Sequence, residues 1–181
     1  MKKLHEFVKS FQCIGERDMS KNLKIKKSEP GGTNLPVQLK KLHKKISTSV
    51  SKLDECIKGI DKADDEARKV KVQAISSELY NLEESLHDLN LGIDEVLGDD
   101  LLNLNEKEVL EQFENLEVIP ALIDDLEKNL KNFHKTYYDK TIDNDLKLIS
   151  FGDLDRNWKS VNKNVMRVLN NLNGLIQKIA V

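Results

Sequence analysis

From Pro36 onward the apolar residues of this chain recur with a helical period. Leu39, Leu42, Ile46, Val50, Leu53, Ile57 and Ile60 follow one another at steps of three and four. That spacing keeps one face of a helix apolar for about six turns. Pro36 suits the first turn of such a helix, and Gly31-Gly32 just before it marks a loop. A second stripe runs through Val70, Ala74 or Ile75, Leu79, Leu82, Leu86, Leu89, Ile93 and Val96. Between the two, Gly59 offers a break, and Asp61, Asp64 or Asp65 offers a cap for the next helix. The register is almost continuous across that point, so a single rod over residues 36–97 and a hairpin both fit the pattern.

Gly98-Asp99-Asp100 is a clear stop, and Asn105 with Glu108 three residues later reads as a capping box. The third stripe is Val109, Phe113, Leu116, Ile119, Ile123, Leu126, Leu130, Phe133 and Tyr137. Pro120 lies inside it and predicts a kink or short break near residues 117–120. Residues 139–153 read as a connector with at most one short helical stretch around Ile142, Leu146 and Ile149. The last helix is expected to start near Asp153 or Asp155 and to run through Leu154, Trp158, Val161, Val165, Val168, Leu172, Leu175 or Ile176, and Ile179. No segment reads convincingly as a strand. The fold class is therefore all-α: an antiparallel four-helix bundle of long amphipathic helices over residues 35–181. Residues 1–34 precede it as a basic, partly flexible N-terminal tail, in which Leu4, Phe7, Val8 and Phe11 line one side of a short amphipathic segment. A charged fraction of 33% with only 5% aromatics agrees with a bundle or coiled coil.

Charge is segregated along the chain. Residues 1–52 carry thirteen Lys/Arg against four Asp/Glu, a net of +9. Residues 78–127 carry sixteen Asp/Glu against Lys107 alone, a net of −15, and residues 128–181 return to +5. The acidic block spans the end of the second helix and the front of the third. The simplest role of this pattern is to guide assembly, with basic first and last helices flanking an acidic hairpin.

Catalytic constellations fail on inspection. The four histidines are isolated from one another, and Glu84-x-x-His87 lacks the second such motif that a di-metal bundle requires. Asp153-Leu154-Asp155 opens like a calcium loop, but Trp158 and Asn164 stand where glycine and glutamate belong. No nucleotide-binding glycine motif and no nucleophile elbow occurs. Cys13 and Cys56 form no CxxC pair and read as ordinary free thiols of a reducing compartment. No catalytic residue, metal ligand or cofactor is assigned. Nor does the start of the chain have the apolar core of a secretory signal, so a cytoplasmic protein is expected, or one delivered into a host cytoplasm by a specialised secretion system.

The expected function is noncatalytic: an interaction adaptor or regulator, a class that includes a bacterial effector acting on a host protein. Its candidate contact is an acidic surface of Glu83, Glu84, Asp88, Asp94, Glu95, Asp99 and Asp100, which suits a partner with a basic surface. The alternative is a membrane-peripheral protein held to anionic lipid by the N-terminal segment; an enzyme whose site converges from separate helices ranks third. Direct nucleic-acid binding is disfavoured by the slightly acidic whole and the scarcity of arginine. The apolar stripes would serve a homodimer as readily as a monomer.

Overall fold

The computed structural model describes residues 35–99, 102 and 104–180. Contacts divide the chain into Met1–Thr33 and Asn34–Val181, and the described residues all belong to the second unit. The tail with Leu4, Phe7, Val8 and Phe11 lies outside them.

Among the described residues, five helical segments form four long rods: α1 (Leu35–Ile57), α2 (Asp65–Leu97), α3 (Glu106–Phe113) continued by α4 (Asn115–Tyr138), and α5 (Asn144–Ile179). No strand occurs among the described residues. Each rod packs on two others around a square, α1 on α2, α2 on α4, α4 on α5 and α5 on α1, and the α2–α4 side is the most thinly packed of the four. The apolar stripes supply the core: Leu39, Ile46, Leu53, Ile75, Leu79, Leu82, Leu89, Ile119, Ile123 and Phe133 are all essentially solvent-free. Val70 is the exception to the expected pattern, being exposed while Val72 is buried. The second helix starts a fresh frame after a turn, so its first core positions are Arg68, Val72 and Ile75.

That turn decides between rod and hairpin. Gly59 adopts φ +72°, a left-handed backbone that other residues take only at a cost. The chain reverses there, Ile60 seals the bend as a fully buried residue, and the Asp64 side chain caps α2 by accepting from the Ala67 N–H at 2.8 Å. Lys71 reaches back from α2 and donates to the carbonyls of Glu55, Cys56 and Lys58, each at 3.3 Å, where the end of α1 leaves acceptors without helical partners. Farther along the same hairpin, Gly92 lets Leu39 approach so closely that a Cβ there would stand 3.0 Å from its Cδ2.

The third rod breaks earlier than its proline suggests. The interruption falls at Glu114, where the Glu117 N–H bonds the Glu114 carbonyl at 3.3 Å in a tightened step. Pro120 then lies inside α4. Its ring crowds the carbonyl one turn back and supplies no N–H to it, and restarting the helix just upstream relieves that crowding. Asn105 caps α3 as expected, accepting from the Glu108 N–H at 3.2 Å.

The connector expected over residues 139–153 is a correction. Only 139–143 link the helices, and α5 begins at Asn144 under an Asp143 cap whose side chain accepts from the Asp145 N–H at 3.1 Å. Asp153 and Asp155 are helix-interior residues that pair forward with Arg156 and Lys159. Acids near a helix start resemble caps in sequence; here they serve i,i+3 and i,i+4 pairs.

Candidate interaction surface

The buried residues of the second half of α2 are Leu82, Ser85, Leu86, Leu89, Ile93 and Val96. At about 100° per residue this places Glu84 and Glu95 on the side opposite the core, with Asp88 and Asp94 on its two flanks. Glu84, Asp94 and Glu95 are exposed and Asp88 is half-buried. None of these four forms an ion pair among the described residues. Asp99 lies beyond the helix end, half-buried, and Asp100 lies outside the described residues.

Glu83 does not belong to that outward set. It is half-buried toward α4, where Glu127 and Asp124 face it. Burial first, and then these two carboxylates, push its pKa above the ordinary glutamate value. The acidic residues of α2 and α4 thus meet across the thinnest side of the bundle, where like charges oppose close packing.

Other acids of the block are taken up in assembly. Lys178 of α5 pairs with Glu108 of α3 at 2.8 Å, and Arg167 of α5 approaches Glu114 at 3.7 Å. The Lys178 ammonium holds the Glu108 carboxyl below its usual range. On the opposite side, Lys52 of α1 pairs with Glu78 of α2 at 2.8 Å. Each pair joins a basic rod to an acidic one, which is the assembly role that the charge pattern suggests.

The far end of the bundle holds a cluster whose importance does not show in sequence. Arg68 is buried at 7% exposure, its Nε donates to the Ile60 carbonyl at 3.3 Å and its Nη2 donates to the Ala63 carbonyl. Its Nη1 pairs with Asp65 at 2.9 Å, and the guanidinium lies 4.4 Å from the Tyr137 ring centroid. The neighbouring Tyr138 hydroxyl donates to the Asp65 carbonyl at 2.7 Å. Tyr137 and Tyr138 are both half-buried and clasp the start of α2. An arginine two residues past a run of acids gives no sequence signal beyond an i,i+3 pair.

A shallow groove of about 210 Å³ lies between the end of α4 and the start of α5, lined by Asn132, Thr136, Ile142, Leu146, Ile149, Ser150 and Asp153. Leu146 and Ile149 are more than half exposed because α1 turns back at Gly59 and leaves the first turns of α5 uncovered on that side. His87 and His134 do not line this groove. His134 is half-buried, with its pKa lowered by burial and then by Lys69. No group of His, Cys, Asp and Glu among the described residues is arranged to hold a metal ion, and Glu84 and His87 both face solvent. No described helix is long and apolar enough to cross a membrane.

Fold and surface together define an all-α helical-bundle protein with an acidic outward face on its second helix. No family model, no curated protein and no solved structure matches this chain.

Proposed function

We propose that this protein is a noncatalytic interaction module, an adaptor or regulator that presents the outward face of α2 to a protein with a basic surface. One observation carries this reading. Glu84, Asp88, Asp94 and Glu95 stay without a cation among the described residues, whereas Glu78, Glu108 and Glu114 engage neighbouring rods. Charge left over after assembly remains available to steer a partner, and such contacts act chiefly through association rate and weaken as salt rises. A cytoplasmic setting, including a host cytoplasm reached by secretion, belongs to the same proposal, as do the terms adaptor and effector.

The test is affinity capture from native extract with the parent chain and an E84K/D94K/E95K variant side by side, followed by quantitative mass spectrometry. The expected result is a basic protein retained by the parent, released by moderate salt and lost by the variant. Equal recovery on both chains overturns the reading.

A further inference from the structure

The four sides of the bundle are tied unequally. Between α1 and α2, Lys52 pairs with Glu78, and Lys71 donates to the carbonyls at the end of α1. Trp158 bonds Asp54 between α5 and α1, and Phe133 of α4 meets Phe151 of α5 with ring centroids 6.3 Å apart. The ties between α2 and α4 gather at one end. There Tyr138 bonds the Asp65 carbonyl, and Arg68 and Lys69 lie over the rings of Tyr137 and Tyr138, 4.4 and 5.7 Å from their centroids. Glu83 stands about five turns farther along α2, roughly 27 Å past Asp65, and Glu127 and Asp124 of α4 face it. No ion pair joins α2 to α4 among the described residues, and neither Glu83 nor Asp124 forms one. One end of this side is therefore clasped, and its middle brings like charges together.

We infer that the α2–α4 side is a pH-controlled seam, which opens about the opposite α1–α5 side in neutral solution and closes when the carboxylates that meet along it take up a proton. The device is independent of any partner on the outward face of α2. Two opposed effects set it. Leu79 and Leu86 flank Glu83 one turn away on α2, Ile123 and Leu130 flank Glu127 on α4, and all four are buried. Their burial draws the seam shut, and the carboxylates above them push it apart. The chain allows the motion at the unclasped end. There residues 98–105 lead from α2 to α3, and eight extended residues span about 26 Å.

The sign follows from the groups around Glu83. In the closed seam its burial, and then Glu127 and Asp124, hold its pKa above the ordinary glutamate value. In an open seam water solvates it. The closed form therefore binds the proton more tightly, and the open fraction grows as pH rises through that raised value. The charges that bear on Glu83 come from α4; α1, on the other flank of α2, directs Lys52 to Glu78. Lys131 approaches Glu127 at 3.7 Å and softens the repulsion without removing it. On α2 itself exposed His87 stands one turn beyond Glu83. A proton on that imidazole sets a cation beside the carboxylates and acts in the same sense.

The experiment is double electron–electron resonance on the full chain in a C13S/C56S background, with nitroxides on an N90C/A121C pair across the seam. An S51C/M166C pair across α1–α5 serves as the reference. At pH 7.5 the seam pair is expected to show a longer distance beside the closed one, and at pH 5 that longer fraction is expected to fall on the order of three-fold. Adding E83Q/D124N, its fold checked by circular dichroism, is expected to lower the longer fraction equally at pH 7.5 and to remove most of the pH response. The reference pair is expected to hold one distance throughout. The inference is overturned if the seam pair keeps one unchanging distance, or if E83Q/D124N leaves the longer fraction at pH 7.5 as it is in the parent. It is also overturned if the reference pair broadens as much as the seam pair, which would mark a general loosening of the bundle.

Discussion

The indole N–H of Trp158 donates to the Asp54 carboxylate across 3.1 Å and so ties α5 to α1. The two residues are 104 positions apart, and Asp54 also accepts from Lys58, the residue just past the end of α1. The Lys58 bond, followed by the Trp158 bond, holds the Asp54 pKa below the ordinary aspartate value.

Trp158→Phe keeps most of the buried ring and removes the donor, so it should cost about 1 kcal/mol of stability in urea melts. Because the folded pKa of Asp54 is depressed, its contribution is complete above the unfolded value near 3.8 and is lost as pH falls through the lower folded value. The difference in stability between parent and variant should therefore shrink on acidification below about pH 4. A difference that stays constant down to pH 2 would show that the bond is not charge-assisted.

Glu83 behaves in the opposite sense. Its folded pKa is raised above 4.5 by burial and by Glu127 and Asp124, so the folded state takes up its proton first and loses stability as pH climbs through that range. Glu83→Gln removes the like-charge contact and should stabilise the protein at pH 7 by about 0.5 kcal/mol, a modest gain because the group is half in water. Thermal melts at pH 7 and pH 4 should show the gain at the higher pH and little of it at the lower.

Arg68 should be the most sensitive polar residue in the bundle. Arg68→Ala strips the Ala63 carbonyl of its arginine donor, leaves the Ile60 carbonyl only the Ala63 N–H, and opens a void against Tyr137, for a loss of about 3 kcal/mol. Arg68→Lys should recover less than half of that, since an ammonium cannot reach both carbonyls and lie over the ring. Full rescue by lysine in urea titrations would refute the forked geometry.

Two glycines should respond with opposite signs. Gly59→Ala forces a side chain into a left-handed backbone and should destabilise by about 1 kcal/mol. Gly174 lies inside α5 with open space around the position of a Cβ, so Gly174→Ala should stabilise by about 0.7 kcal/mol. Equilibrium denaturation of both variants checks the pair.

Much of this architecture is legible along the chain because it is local. The three-and-four spacing from Leu39 to Ile60 and from Leu154 to Ile176 finds the core faces, and Asn105 with Glu108 finds a helix start, since caps and stripes depend on neighbours a turn away. Val70 misleads for the same reason: it keeps the period of the preceding stripe, but the turn at Gly59 resets the frame and leaves it in solvent. Asp153 and Asp155 mislead because an acid that caps a helix and an acid that pairs forward within one look alike until the backbone is placed.

The sequence by itself determined four apolar-faced helical segments and a division of charge among them, because periodicity and net charge are sums over nearby residues. Only the tertiary structure decided which side each charge occupies. Glu83 turns inward to face Glu127 while Glu84, its neighbour, faces solvent, and Lys52 finds Glu78 while Lys40 to Lys45 find no acid. One residue is a rotation of about 100° on a helix, and whether that rotation ends at another rod or in water depends on where the other rod lies.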